Sequence, residues 1–112
     1  MSDCLFCNIS HGNIPSDIVY EDDQLIVFKD IYPKADVHLL MIPRLHIGSL
    51  NDLEISHDAL VSHMLRVLPK VARDQGLENG FRTIINTGPG GGQEVYHLHM
   101  HILGGDSLPG FA

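Results

Sequence analysis

Tryptophan is absent from this 112-residue chain, aromatic residues make up only 6%, and there are two cysteines. Basic side chains are scarce too: seven Lys and Arg against fourteen Asp and Glu leave a formal charge of −7. That balance excludes a surface for long nucleic acid, whose affinity comes largely from neutralised phosphates. A single small phosphorylated ligand stays compatible, because backbone amides and imidazoles supply positive potential locally. No apolar run approaches the roughly 18 residues needed to span a bilayer. The opening "MSDCLFCNIS" has neither the basic nor the long apolar region of a signal peptide, so no membrane partner and a cytoplasmic location are expected. In a reducing compartment a disulfide between Cys4 and Cys7 is disfavoured. Their C-x2-C spacing leaves a metal half-site, a redox pair or two small buried thiols.

What is present is the composition of an ordinary globular protein: 44% hydrophobic, 19% charged, without repeats or low-complexity runs. The length suits one core, so a single domain over residues 1–112 is expected. Residues 3–10 read as a short helical turn with Asp3 near the N-cap and Leu5, Phe6 and Ile9 on one side. Two β-rich runs, Ile18 to Tyr20 and Leu25 to Phe28, flank an acidic turn at Asp22 and Asp23 and predict a hairpin. A third apolar run, His38 to Ile42, stops at Pro43.

From Ser56 to about Gln75 the period becomes that of a helix, with Leu60, Val61, Met64, Leu65, Val67, Leu68, Val71 and Ala72 in one sector and Gly76 as the stop. Pro69 lies inside the pattern, where it removes one backbone hydrogen bond. The apolar sector spans about 160°, wider than the roughly 100° that covers a sheet, and predicts that its excess packs on a second copy of the chain. A strand near Phe81 to Asn86, the loop "TGPGGGQE" and a strand from about Tyr96 to Leu103 complete the chain. Strands in series around one long helix imply an α+β fold with a mainly antiparallel sheet.

The chemistry concentrates in "VYHLHMHILGG". With a period of two, His97, His99 and His101 point one way while Leu98, Met100 and Ile102 point the other. Three readings compete: ordinary hydrogen-bonded histidines, a zinc site using His-x-His spacing, and a phosphate-processing site. The preceding "GPGGGQ" favours the last, because its glycines permit positive φ and the close backbone approach that lets N–H groups cradle an anion. His11, His57 and His63 occupy polar positions outside any motif and are expected to be solvated.

"INTGPGGGQEVYHLHMHILGG" resembles the histidine triad superfamily signature, His-φ-His-φ-His-φ-φ with φ apolar. "IPSDIVYEDDQLIVFKDIYPKADVHLLMIPRLH" resembles the N-terminal half of the superfamily's nucleotide-binding (Hint) branch, and the ending "HILGG" favours that branch over the dinucleoside polyphosphate hydrolases. The likeness runs from Cys4 to about Leu108. It implies a sheet of about five strands with one long and one short helix, paired across a homodimer into a continuous sheet. It also implies hydrolysis of purine nucleoside 5′-phosphoramidates or related nucleotide conjugates to the nucleoside monophosphate.

Laid on these positions, the resemblance makes His99 the nucleophile at the α-phosphorus. His101 would contact the phosphate or protonate the leaving group, with His38 beside them. Backbone N–H groups of Gly92, Gln93, Glu94 and Val95, together with Asn86, would hold the phosphoryl oxygens. Asp30 would accept from the ribose hydroxyls, although a turn-forming Asp is an equal reading of that residue. Leu5, Phe6, Ile9, Phe28 and Ile31 would line the base pocket.

Some members carry serine where Glu94 stands, so the leaving-group preference of this chain is open. Some members also hold a structural zinc with the combination present here as Cys4, Cys7, His46 and His97, while no cofactor is required for catalysis. The competing functions are a nucleotide-sensing module, a dinucleoside polyphosphate hydrolase, and a metalloenzyme using His97, His99 and His101 as ligands.

Overall fold

The computed structural model describes residues 2–110, so residues 1, 111 and 112 of the expected domain lie outside the described residues. A short helix α1 (Leu5–Ser10) precedes strands β1 (Ile18–Glu21), β2 (Leu25–Lys29) and β3 (Val37–Pro43). Two 3₁₀ turns then lead into helix α2 (Asp58–Asp74), followed by β4 (Arg82–Ile84) and β5 (Met100–Gly104). The five strands form one antiparallel sheet in the order β1-β2-β3-β5-β4. No helix among the described residues is long and apolar enough to cross a membrane.

β2 and β3 are apolar at nearly every position because both sheet faces are covered. Leu25, Val27, Leu39 and Met41 join Met64, Val67 and Val71 of α2 in the larger core, together with Leu98, Met100 and Ile102. Their alternates Ile26, Phe28, Leu40 and Ile42 face the other way and pack with Phe6 and Ile9 of α1. This second, smaller layer is where the site forms. Arg44 fixes α1 to the hairpin: its guanidinium donates to Ser10 O (2.9 Å), Asp22 O (2.8 Å) and the Glu21 carboxylate (2.9 Å).

α2 ends as expected at Gly76, whose φ of +88° is the left-handed conformation of a helix stop, with Leu77 N–H closing back on Ala72 O. Pro69 lies within the helix and leaves the Leu65 carbonyl without its i+4 donor. The Leu65 side chain is 52% exposed and Val61 half-buried, so the excess of the apolar sector is uncovered in the single chain.

Three local expectations need correction. The α1 N-cap is Cys4, not Asp3, and its Sγ accepts from Cys7 N–H at 3.4 Å. The histidine strand begins at Met100 rather than Tyr96. Pro43 has no N–H with which to extend the β3 ladder, and its carbonyl is taken by the His97 imidazole at 2.7 Å. The alternation nevertheless persists through this irregular stretch, with Leu98, Met100 and Ile102 buried in the larger core.

Finally, His63 is not simply solvated. It lies 2.7 Å from Asp22 and ties α2 to the β1–β2 turn, while His57 Nδ1 accepts from Glu54 N–H in the cap of a 3₁₀ turn. Burial pushes the Asp22 carboxyl up. Hydrogen bonds from Gln24 N–H, His63, Tyr20 and Leu25 N–H outweigh that and hold it at about 2.

Candidate active site

A cavity of about 470 Å³ opens on the α1 face of the sheet, within the range typical of small-molecule sites. One end is apolar, built by Phe6 and Ile9 of α1, Ile14 and Phe28; the other carries Asn86, Glu94, His99 and His101. Leu5 (46% exposed) and Ile31 (80% exposed) line its rim rather than its wall.

Hydrogen-bond partners assign each imidazole its tautomer, because a carbonyl only accepts and an amide N–H only donates. His99 Nδ1 lies 2.7 Å from His97 O and must carry a proton there, so that in the neutral ring the lone pair is on Nε2, and the ring lines the cavity. Lys34 N–H donates to His38 Nδ1 at 3.1 Å, so His38 is protonated at Nε2. That Nε2–H donates to His101 Nδ1 at 2.9 Å, which puts the His101 proton on Nε2.

The sheet register makes this relay possible. Leu40 pairs with His101 and His38 with Leu103, so the two imidazoles are diagonal neighbours on one face. Burial, and then the neighbouring imidazoles His99 and His38, lower His101 to about 4. Burial likewise lowers His38, against the opposing pull of Asp30. Both are neutral at pH 7.

Asp30 closes the same corner. Its Oδ1 accepts from Tyr32 N–H at 2.9 Å, the turn-forming role open to it, while Oδ2 lies 3.4 Å from His38 Nε2.

The glycine loop is organised by its own hydrogen bonds. Gly88 at φ +69° and Gly92 at φ +77° both need the freedom of glycine. The structure narrows the expected cradle, because Gly92 N–H is committed to Pro89 O and Gln93 N–H to Gly88 O. The Gln93 side chain is buried and braces the loop through Gly88 N–H, Gly48 O and Val95 O. Among the described residues, Glu94 N–H and Val95 N–H have no protein acceptor, and both residues line the cavity. Asn86 also lines it and spends one amide N–H on Gly91 O at 2.8 Å.

His97 turns away from this cavity. Its Nε2–H is held by Pro43 O, so the bare Nδ1 faces Cys4 Sγ at 3.3 Å and Cys7 Sγ at 3.5 Å; His46 Nδ1 lies 3.3 Å from Cys7 Sγ. The four ligand atoms fall within 4.8 Å of one another. Tetrahedral zinc with bonds of roughly 2.3 Å to sulfur and roughly 2.0 Å to nitrogen has S···N edges of roughly 3.5 Å. The donor chemistry and spacing therefore fit zinc, and the Pro43 carbonyl supplies the outer hydrogen bond that ligating histidines use.

His97, His99 and His101 do not converge. Among the described residues the two metal-competent groups are Cys4–Cys7–His46–His97 and Asp30–His38–His101. Phe6 links the two centres, stacking edge-on against both His97 (6.0 Å) and His99 (5.0 Å).

An antiparallel five-stranded sheet with one long helix, and alternating histidines beside a glycine loop at one cavity, defines the class. Comparison with known proteins agrees. Residues 3–111 match the family model described as "Scavenger mRNA decapping enzyme C-term binding". Protein HitA of Neisseria gonorrhoeae is 49% identical over 104 residues, covering 93% of this chain and 97% of its own. The purine nucleoside phosphoramidase of Escherichia coli K12 is 47% identical over 105 residues, 93% of this chain and 88% of its own. A histidine triad protein of Clostridium difficile superposes with a TM-score of 0.93 at 46% identity, covering 100% of this chain and 98% of its own. A HIT family hydrolase of Legionella pneumophila gives 0.90 at 45% identity, covering 94% of this chain and 95% of its own. The chain belongs to the histidine triad family.

Proposed function

We propose that this protein hydrolyses purine nucleoside 5′-phosphoramidates or closely related nucleotide conjugates, releasing the nucleoside monophosphate through a nucleotidyl-histidine at His99. The observation that carries this reading is the pairing of a bare His99 Nε2 with a neutral His101 whose proton sits on Nε2, in one cavity. The base lies between Phe6, Ile9 and Phe28, with Leu5 and Ile31 at the rim, and the ribose hydroxyls meet the Asp30 carboxylate. Glu94 N–H, Val95 N–H and Asn86 receive the phosphoryl oxygens, where charge grows in the transition state.

His99 Nε2 forms a bond to phosphorus as the P–N bond to the leaving amine breaks. The leaving nitrogen takes its proton from a water molecule that the His101 Nε2–H binds and polarises, because a neutral imidazole cannot give up its last N–H. The phosphorylated His99 ring is cationic, and its Nδ1–H bond to His97 O holds it in place. The hydroxide left by that water then bonds to phosphorus, and the P–Nε2 bond breaks to restore neutral His99. His38 keeps the His101 proton on Nε2 through both half-reactions.

Cys4, Cys7, His46 and His97 would hold a structural Zn²⁺, which supplies a covalent anchor for α1 and no catalytic step. A reducing cytoplasm would keep both thiols available as ligands. A second copy of the chain would cover Leu65 and the rest of the uncovered α2 sector, giving the homodimer.

The test is turnover of adenosine 5′-phosphoramidate by wild type and His99→Ala. The expected result is AMP release by wild type, a loss of about a thousandfold or more in the variant, and AMP binding retained. A wild type that binds AMP but cleaves no conjugate is a sensor instead. Preference for dinucleoside polyphosphates over phosphoramidates reassigns the substrate. Cys4→Ser should lose bound zinc in elemental analysis while His99 chemistry persists.

A further inference from the structure

Ser16 carries the buried side-chain polar atom that finds no hydrogen-bond partner among the described residues. Its residue belongs to the cavity wall, beside Ile14, Pro15 and Phe28. The backbone holds it there: Lys29 N–H donates to Asp17 O at 3.0 Å, and Ile18 pairs with Phe28, so the segment leading into β1 is pinned along the end of β2. Lys29, the neighbouring cation in the wall, is directed to the Asp17 carboxylate at 3.5 Å. Ser16 thus adds a hydroxyl to a wall that it shares with Phe6, Ile9 and Phe28, the residues among which a planar base would sit.

A buried hydroxyl without a partner is destabilising and calls for a reason. Rotation about the Cα–Cβ bond, between staggered wells, is the movement that would carry this enclosed Oγ into the cavity. We propose that Ser16 Oγ is the hydrogen-bonding group of the base subsite and donates to an unprotonated ring nitrogen of a purine. Adenine and guanine share such acceptors at N3 and N7, so the contact selects purines as a class without separating one from the other. The proposal rests on the nucleotide reading above and adds to it the residue that recognises the base.

Ser16→Ala gives a signature that a structural serine would not. Calorimetric titration with AMP should show about 2- to 10-fold weaker binding in the variant, the effect of losing one neutral hydrogen bond. Ribose 5-phosphate should bind both proteins alike. The unliganded variant should melt at the same temperature as wild type or higher, because an orphaned hydroxyl has been removed. Wild type should also lose affinity for either 3-deaza-AMP or 7-deaza-AMP, and in Ser16→Ala that loss should vanish.

Unchanged AMP affinity overturns the proposal. So does a parallel fall in melting temperature and in ribose 5-phosphate binding, which marks a structural residue. A wild type that holds ribose 5-phosphate as tightly as AMP defeats the nucleoside reading itself, and the role of Ser16 falls with it.

Discussion

Keeping His101 neutral in a buried cluster sets how the fold responds to acid. The unfolded chain protonates this residue near its ordinary value of 6.5, whereas the folded chain resists until about 4. Between those values the unfolded state binds more protons, so stability is full above 6.5 and falls as the pH drops toward 4. At about 1.36 kcal/mol per pH unit, that gap corresponds to about 3 kcal/mol from His101 alone, a large part of the roughly 5–15 kcal/mol typical of a small domain. His38, also pushed down by burial, acts in the same direction. The perturbation is His101→Gln, which keeps a polar side chain but cannot titrate. Urea unfolding followed by far-ultraviolet circular dichroism suits a chain without tryptophan, and should be run at intervals from pH 7.5 to 4.5. Removing the His38 contact will change the variant's stability at pH 7.5, so the slope is the readout. Wild type should lose stability steeply through the window, and His101→Gln should lose less by about 2–3 kcal/mol. Parallel curves would refute the claim that this half-buried, neutral imidazole governs acid sensitivity.

The Asp22 carboxylate, held at about 2, should add stability above pH 4 that disappears as the pH falls toward 2. Asp22→Asn should therefore cost on the order of 2 kcal/mol at pH 7 and progressively less below pH 4, measured by the same unfolding assay. At Gly104 an added Cβ would lie 2.5 Å from Leu77 Cδ2, so Gly104→Ala should destabilise by about 1–3 kcal/mol through overpacking, read as a lower urea midpoint with an unchanged slope. Leu65→Glu should leave the monomer fold intact and shift sedimentation equilibrium toward the single chain, because it places a charge on the uncovered sector of α2.

The elements carried by local periodicity were legible. The β1–β2 hairpin, the β3 run, the long helix with its Gly76 stop and the burial of Leu98, Met100 and Ile102 all follow from spacing that neighbouring residues share. What was not legible depends on partners distant in the chain. The histidine segment enters the sheet late because Pro43, 54 residues away, offers His97 a carbonyl and no N–H. His63 looked solvated because its acceptor, Asp22, lies 41 residues earlier.

The same limit governs the site. The alternating histidines and the glycine loop pointed to one site, and His99, His101, Gly92 and Glu94 do line one cavity. Turns inside that loop decide which N–H groups remain free: Gly92 and Gln93 are spent, and Glu94 and Val95 find no acceptor among the described residues. The tautomers of His38, His99 and His101 come from three hydrogen bonds that no spacing rule contains. The orphaned Ser16 hydroxyl gave no sequence signal, since a serine after Ile-Pro reads as turn chemistry.

The central claim is a covalent bond between His99 Nε2 and the nucleotide's phosphorus, and rapid-quench mass spectrometry tests it most directly. Wild type mixed with adenosine 5′-phosphoramidate and quenched in base within the first turnovers should yield the peptide containing His99 with an added adenylyl mass, absent from His99→Ala. The account is contradicted if that peptide stays unmodified at every quench time while AMP accumulates, or if His99→Ala releases AMP at the wild-type rate.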